Sequence, residues 1–320
     1  MNELEQVVRA LQAAPSVAVL AHVHPEEDAI GATLGACLAL REAGKDAGSY
    51  NADPLPPGLA FLPGAAELRR EVPIGRPYAC YLVLDTGSLE RTGGLLADRP
   101  GDSVLLNVDH HAGNTRFGEV NWVDAEASSA GEMVYQILRR GGFPVSKPVA
   151  TNLFAAILTD TGSFHHGNST PRALRVAADL VECGADPEEI SHGLYGNRDP
   201  REWRLLSEAL ASLAVSPDGR LAWIEVTLAA QARAGLGLEY TEGFIEYVRI
   251  LSGVRVALAF KEASPDQVKV SFRSRGSLDV AALAGQLGGG GHRNAAGCTL
   301  AGTLAEVKAR VLAAAQGHVI

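Results

Sequence analysis

The N-terminal half of the chain alternates short apolar runs with longer segments of helical periodicity. Apolar residues three and four positions apart in residues 4–11 predict an amphipathic helix. Strand-like runs follow at residues 16–21, 79–84 and 103–106, and helical segments at residues 29–43 and 128–140. Runs without polar alternation are typical of parallel strands buried on both faces. Residues 1–185 are therefore predicted to form an α/β domain with a doubly wound, mostly parallel sheet.

The pattern changes towards the C-terminus. Residues 152–158 are apolar and fit either a helix or a strand, whereas residues 186–214 are charged and helical, with a break at residues 196–200. We interpret the latter segment as a helical linker. Beyond it, strands are predicted at residues 221–226, 254–260 and 267–273, and helices at residues 278–287 and from Thr303 onward. Residues 215–320 are therefore predicted to form a smaller α+β domain.

The charge balance narrows the class of ligand. The chain has 320 residues and a formal net charge of −9, so we expect no basic surface for a long duplex. Bound cations would still let an acidic protein bind a small phosphate ester. The four cysteines lack paired spacing, which favours reduced thiols. The chain shows no signal-peptide pattern and no apolar run near the ~20 residues of a membrane span, so we expect a cytoplasmic protein.

Four polar motifs follow apolar runs. They are His22 to Asp28, Asp85-Thr86-Gly87, Asp109-His110-His111 and Asp160-Thr161-Gly162. Each alone has an ordinary explanation, such as a turn at a strand end, the first-turn acids of a helix or a core histidine. Ligands of open parallel sheets collect beyond the carboxyl ends of the strands, where these motifs would converge. Their recurrence therefore favours a functional site.

The residue types in these motifs predict a site for two divalent cations. Carboxylates suit Mn²⁺ and Mg²⁺, and the histidines favour Mn²⁺. Two ions about 3.5–4 Å apart require a bridging carboxylate, lower the pKa of an attacking water and neutralise phosphoryl charge. The candidate ligands are His22, Glu26, Asp28, Asp85, His110 and Asp160, with Asp109 and His111 beside them.

The C-terminal domain carries two candidates for phosphate binding. Consecutive glycines at residues 288–291 would let backbone N–H groups approach a phosphate, and His292 would add a donor; a flexible loop is the alternative. Arg273 and Arg275 would share one face of a strand, either as a phosphate clamp or as solvated charges. We favour Arg273 as the clamp. His165 and His166, after the fourth polar motif, are further candidates for a position near the substrate.

Together these motifs resemble the DHH phosphoesterase superfamily in its two-domain form with a DHHA domain. More narrowly, the chain resembles the bacterial oligoribonucleases (nanoRNases) that also act as phosphatases of 3′-phosphoadenosine 5′-phosphate (pAp). Further matching segments are Ser271 to Arg275 and Gly288 to Gly297. The family pattern Pro-Asp-Gly-Asp is here Pro25-Glu26-Glu27-Asp28, so the first metal ligand carries an extra methylene.

The resemblance implies a role for each matching residue. It implies that His22, Glu26 and Asp85 hold one metal and that Asp28, Asp85, His110 and Asp160 hold the other. It implies three catalytic residues: Asp85 as the bridge, His111 as the contact to the scissile phosphate, and Asp109, which orients the site. The implied substrate-binding residues are Arg273, Ser274, Gly289, Gly290, Gly291, His292 and Asn294.

The expected activity is hydrolysis of short 5′-phosphorylated RNA or DNA oligonucleotides to nucleoside monophosphates, and of pAp to AMP and phosphate. The expected cofactors are two divalent ions, most simply Mn²⁺, with Mg²⁺ as the alternative. A homodimer is compatible with this activity. The alternatives are a RecJ-like single-strand exonuclease, a pApA hydrolase and, from a different class, a nucleotide sensor without catalysis.

Overall fold

The structure is a computed structural model that describes residues 2–75, 77–196, 199–276 and 278–319. It divides into two compact units, one up to residue 197 and the other from residue 198. The predicted break at residues 196–200 includes Asn197 and Arg198, which lie outside the described residues. The helices of the predicted linker pack with different units, because Ile190 joins the core of the first unit and Leu205 that of the second.

The first unit is built on a parallel five-stranded sheet with the order β2-β1-β3-β4-β5. Its strands are β1 (Ser16–Leu20), β2 (Asp46–Tyr50), β3 (Cys80–Leu84), β4 (Val104–Asp109) and β5 (Val120–Val123). Its helices are α1 (Glu3–Ala13), α2 (Glu27–Glu42), α3 (Ala130–Gly141), α4 (Lys147–Asp160), α5 (Pro171–Glu182) and α6 (Pro187–Ser191). The predicted α/β fold with a mostly parallel sheet is confirmed.

Two differences from the sequence prediction have a simple cause. Residues 152–158 lie in α4 and are all buried, so they give no helical periodicity, which is the pattern of a helix surrounded by other elements. The edge strands β2 and β5 were not predicted, since their short sequences, such as Asp-Ala-Gly-Ser-Tyr, lack an apolar run.

The two faces of the first sheet are covered differently. Val17 and Val19 point to a core formed with residues of the helices, while Ala18 and Leu20 point to a smaller core on the other face. That second core is closed by residues from connecting loops, such as Val72. The helices described in this unit therefore cover one face, so the winding is less symmetrical than a doubly wound sheet implies.

Strand order determines where the polar motifs meet. The chain runs from β1 out to the edge strand β2 and then returns to β3 on the other side of β1. Ligands bind at such a change of direction, beyond the carboxyl ends of the strands. Residues that follow β1, β3 and β4 therefore lie at one edge of the sheet.

The second unit has a mixed six-stranded sheet with the order β10-β11-β9-β8-β7-β6. Its strands are β6 (Ala214–Val215), β7 (Leu221–Val226), β8 (Val256–Ser264), β9 (Gln267–Ser274), β10 (Gly290–His292) and β11 (Ala295–Ala301). Its helices are α7 (Pro200–Ala211), α8 (Leu228–Ala234), α9 (Phe244–Arg249), α10 (Val280–Gln286) and α11 (Leu304–Val319). The predicted α+β character is confirmed. Across both units, none of the described helices is long and apolar enough to cross a bilayer.

Candidate metal centre

Asp85 lies at the centre of the polar cluster. It directly follows β3, its side chain is 1% exposed, and its backbone φ of 52° lies in the left-handed region. Non-glycine residues held in this region are concentrated at functional sites. Its Oδ2 atom is 3.3 Å from Nε2 of His22, and its Oδ1 atom is 3.3 Å from Nε2 of His110. One carboxylate thus connects residues from the ends of three strands.

His22 is held in one orientation by the loop that follows β1. Its Nδ1 atom is 2.8 Å from the carbonyl oxygen of Val23, and its own carbonyl accepts a hydrogen bond of 2.9 Å from the Asn51 amide. Glu26 occupies the N-cap position of α2 but makes no capping hydrogen bond, and its Oε1 atom is 3.8 Å from Nε2 of His22. His22, Glu26 and Asp85 form one group of possible metal ligands.

Asp28 connects α2 to the first turn of α3. Its two oxygens accept backbone hydrogen bonds from Ala130 at 2.7 Å and from Gly131 at 2.9 Å. The partial positive charge at a helix N-terminus stabilises a carboxylate in this position. Oδ2 of Asp28 is also 3.7 Å from Nε2 of His110. The backbone hydrogen bonds from α3 therefore fix the orientation of the Asp28 carboxylate.

The fourth motif reaches the same edge from the end of a helix. Asp160 is the last residue of α4, and its Oδ2 atom is 3.9 Å from Nδ1 of His110. The Asn168 amide donates hydrogen bonds to the carbonyl oxygens of Asp160 and Ser128 and so fixes this helix end. Asp28, His110 and Asp160 form a second group of possible ligands.

Asp109 holds His111 in place. Its Oδ1 atom is 2.7 Å from Nδ1 of His111 and accepts the backbone N–H of His110 at 2.9 Å. Its Oδ2 atom accepts a hydrogen bond of 2.6 Å from the Asn114 amide. Nδ1 of His111 is also 3.5 Å from Oδ1 of Asp85. Because both oxygens of the buried Asp109 are engaged, its contacts fit an orienting role better than a metal ligand.

The surroundings shift the pKa values of three aspartates of the cluster in opposite directions. Burial raises the pKa of Asp28 well above its usual range and that of Asp160 to about 7. Burial also opposes ionisation of Asp85, but the adjacent imidazoles of His110 and His22, each 3.3 Å from one of its oxygens, hold the pKa of Asp85 far below its usual range. Burial disfavours the charged forms of His22 and His110, yet the contacts with Asp85 outweigh it and raise the pKa of both. Asp85 is therefore the firmly ionised member.

The arrangement fits a pair of divalent cations. Both oxygens of Asp85 and Nε2 of His22 are buried and have no hydrogen-bond partner within the described part of the chain. Buried polar atoms without a partner are costly, and a cation would satisfy these three. A carboxylate whose oxygens face different histidines has the arrangement required to bridge two ions. These two ligand groups and a third, formed by Asp85, His110 and His111, share this edge of the sheet.

The predicted substrate-binding residues of the second unit lie near the end of β9. Arg273 donates a hydrogen bond of 2.9 Å to Glu246, which also pairs with Arg249. The buried Ser274 donates to the carbonyl oxygen of Leu278 at 2.8 Å, and its hydroxyl lies 3.1 Å from the Asn294 side chain. These polar groups already have protein partners, in contrast to Asp85.

The first two glycines of residues 288–291 cap helix α10, and the last two begin a β-hairpin. The N–H groups of Gly288 and Gly289 donate to carbonyl oxygens of Gly285 and Ala284, at the end of α10. Gly290 and Gly291 begin β10, which pairs with β11 in an exposed hairpin that includes His292. A phosphate cradle of four free N–H groups is therefore not formed here. Gly288, Gly290 and Gly291 are exposed and Gly289 is half-buried, so the run remains accessible although two of its N–H groups are engaged.

Several residues in contact with the centre were not predicted from the sequence. Asn51, Asn114 and Asn168 each fix a loop or a carboxylate, and the side chain of Arg91 lies 3.0 Å from Nδ1 of His22. The one available signal for Arg91 was its position six residues after Asp85. His165 and His166 are exposed, and Nδ1 of His165 lies 3.0 Å from the carbonyl oxygen of Gly162.

Both predicted domains of the chain match domains of known families. Residues 16–157 match the DHH family N-terminal domain, and residues 240–319 match the DHHA1 domain. The bifunctional oligoribonuclease and PAP phosphatase NrnA of Thermus thermophilus is 35% identical over 302 residues, which are 94% of this chain and 89% of that protein. The chain belongs to the NrnA family. NrnA of Bacillus subtilis is 27% identical over 300 residues, 92% of each chain.

Membership of the NrnA family confirms the resemblance predicted from the motifs. An exopolyphosphatase-related protein from Bacteroides fragilis has a TM-score of 0.88 and 24% identity to this chain, and the match covers 97% of this chain and 95% of that one. At this identity the similarity concerns the fold. Both domains of the NrnA family are therefore present in the predicted order, with DHH before DHHA1.

Proposed function

We propose that the protein is a metal-dependent phosphoesterase that hydrolyses short 5′-phosphorylated oligonucleotides to nucleoside monophosphates and pAp to AMP and phosphate. The observation that carries the proposal is the buried Asp85 carboxylate, whose oxygens face His22 and His110 and lack a hydrogen-bond partner among the described residues. The names of the Thermus and Bacillus relatives support the substrate class.

The proposed roles follow from the contacts of each residue. His22, Glu26 and Asp85 would hold one cation, and Asp28, Asp85, His110 and Asp160 the other. When bound, two divalent ions lower the pKa of an attacking water and neutralise charge on the phosphoryl oxygens. We assign Mn²⁺ in preference to Mg²⁺ because imidazole ligands are present in both groups.

His111 is proposed to donate a hydrogen bond to the scissile phosphate. Its Nδ1 atom is 2.7 Å from the buried Asp109, which fixes the ring plane. A histidine with a raised pKa is a suitable donor to a phosphoryl oxygen. Asp109 then acts through His111, and Asn114 acts through Asp109.

The second unit is proposed to bind the end of the substrate distant from the scissile bond. Arg273 would contact a phosphate, with Ser274, Asn294 and the exposed part of the hairpin nearby. We also retain the homodimer and the cytoplasmic location as predictions, along with domain boundaries at residues 185 and 215.

The direct test is product analysis with 5′-labelled RNA of two to about twenty nucleotides and with pAp, in Mn²⁺ and then Mg²⁺. We expect rapid conversion of the shortest RNAs and of pAp, and loss of both activities in Asp85→Ala. Preferred cleavage of long strands would favour the single-strand exonuclease alternative. Binding of pAp without turnover under either metal would favour a nucleotide sensor.

A further inference from the structure

Arg91 lies against the outer side of the metal centre. Its Nη2 atom is 3.0 Å from Nδ1 of His22, whose other ring nitrogen faces Asp85. This is the one hydrogen-bond-distance contact that the guanidinium makes among the described residues. The imidazole ring of His22 thus lies between the guanidinium of Arg91 and the carboxylate of Asp85.

The contact with His22 is not a satisfied hydrogen bond for the arginine. Nδ1 of His22 is also 2.8 Å from the carbonyl oxygen of Val23, which can only accept a hydrogen bond. When Nε2 binds a cation, as proposed, the ring hydrogen lies on Nδ1 and faces the Val23 carbonyl oxygen. An Nδ1–H group cannot accept from Arg91, so the donors of the guanidinium remain available to another acceptor.

The turn that carries Arg91 is fixed to the loop after β1. The backbone N–H of Val23 donates to the carbonyl oxygen of Arg91 at 2.7 Å, and the adjacent Thr92 is buried. Gly93 has a φ of +63°, and a Cβ atom there would lie 2.4 Å from Val23 and 2.6 Å from Ala52. The close approach at Gly93 thus fixes where Arg91 can lie.

The charge at the centre favours an anionic partner for this arginine. The four carboxylates proposed as ligands, Glu26, Asp28, Asp85 and Asp160, together balance the charge of two divalent ions. No carboxylate among the described residues forms an ion pair with Arg91, and a guanidinium matches the geometry of a phosphoryl group. Arg91 lies on the Oδ2 side of Asp85 and His111 on the Oδ1 side.

We infer that Arg91 is a substrate-binding residue that donates hydrogen bonds to the phosphoryl group at the metal centre, from the side opposite to His111. The inference rests on the proposed function, because it requires a phosphate ester at this edge of the sheet. It assigns one phosphoryl oxygen to each of the two donors, so that both act on charge that develops during phosphoryl transfer.

The first test compares Arg91→Gln and Arg91→Lys with the unchanged protein. With pAp and a 5′-phosphorylated dinucleotide, we expect kcat/KM to fall about 100-fold in Arg91→Gln and about tenfold in Arg91→Lys, as for loss of a transition-state donor. Calorimetric titrations should show AMP affinity about tenfold weaker in Arg91→Gln and Mn²⁺ affinity within twofold of the unchanged protein. A fall in Mn²⁺ affinity with unchanged AMP affinity would overturn the inference, because Arg91 would then only orient His22.

The second test uses a matched pair of glycines. Gly93 and Gly94 both have a positive φ, so alanine strains the backbone at either position, but only Gly93 is crowded, since Gly94 faces open space. Gly93→Ala should displace the turn and reproduce most of the loss seen in Arg91→Gln, while Gly94→Ala should keep kcat/KM within about threefold. Equal kcat/KM values in the two variants would overturn the inference. Absence of turnover in the unchanged protein would instead reject the proposed function.

Discussion

The edge of the sheet in the first unit and the end of β9 in the second unit both carry predicted site residues, but the polar groups of the first lack protein partners while those of the second have them. At the first, both oxygens of Asp85 and one nitrogen of His22 are buried without a hydrogen-bond partner among the described residues. At the second, Arg273 pairs with Glu246, and Ser274 contacts Leu278 and Asn294.

This difference separates two kinds of ligand binding. Buried polar atoms without partners cost free energy, so the first region is stabilised when a cation binds. The polar groups of the second region already have protein partners, so a substrate phosphate bound by Arg273, as proposed, would compete with Glu246. Under the proposed function, the first region would determine whether chemistry occurs, and the second would adjust how tightly a substrate is held.

The strongest test of this contrast is Asp85→Asn. The amide keeps the size of the side chain but loses the charge that bridges the two ligand groups, so we expect kcat to fall by at least about 1,000-fold. Asp102→Asn, at an exposed acid before β4, is the control and should be indistinguishable from the unchanged protein. Steady-state kinetics with pAp give both values. Substantial activity in Asp85→Asn would remove the basis of the comparison.

Arg273→Lys tests the second region. A lysine cannot reproduce the planar guanidinium contact, so we expect KM for a dinucleotide to rise about tenfold with kcat nearly unchanged. The exposed Arg275→Lys is the matched control and should leave KM within about twofold. If instead kcat falls and KM does not change, Arg273 acts on the reacting groups, and the proposed division between the two regions is wrong.

The metal-free protein should lose stability as pH rises. Asp160, with its folded-state pKa raised to about 7, contributes stability that is fully present below the usual aspartate range and is gone above about pH 7. The raised pKa values of Asp28, His22 and His110 act in the same direction. Thermal unfolding in a chelator should therefore show a falling Tm between about pH 5 and 7.5, and added Mn²⁺ should remove the trend. A flat profile without metal would contradict the prediction.

The smallest effect concerns the hairpin glycines. A Cβ atom at Gly291 would lie 2.5 Å from the Ala295 carbonyl oxygen, and its φ is +143°, whereas Gly290 faces open space. Gly291→Ala should cost about 2 kcal/mol of unfolding free energy, and Gly290→Ala less than about 0.5 kcal/mol. Denaturant titration measures both. If Gly290→Ala nevertheless raises KM, the exposed part of the run contacts substrate.

The fold and the ligand groups were predictable because their signals are local. Apolar runs predict strands, and acids or histidines directly after them predict a shared edge, so His22, Asp85 and His110 could be placed together in advance. Asp160 was less certain, since α4 is buried all round and its sequence gives no periodicity.

The rest depends on contacts between distant segments. Nothing in the sequence around Arg273 indicates that Glu246, on another element, would pair with it. Arg91 does not directly follow a strand, and its place beside His22 results from the close packing of Gly93 on Val23. Such pairings arise only when the chain folds.

The left-handed backbone at Asp85 also limits how the protein can change during evolution. Aspartate and asparagine are among the few residues other than glycine that adopt this conformation readily, so exchange of Asp85 for glutamate would meet a backbone barrier as well as a chemical one. Glu26 has an extended backbone, φ −102° and ψ −175°, which any side chain can adopt. The fold thus permits the longer carboxylate at position 26, and under the proposed function the metal site could change there while the bridging position stays unchanged.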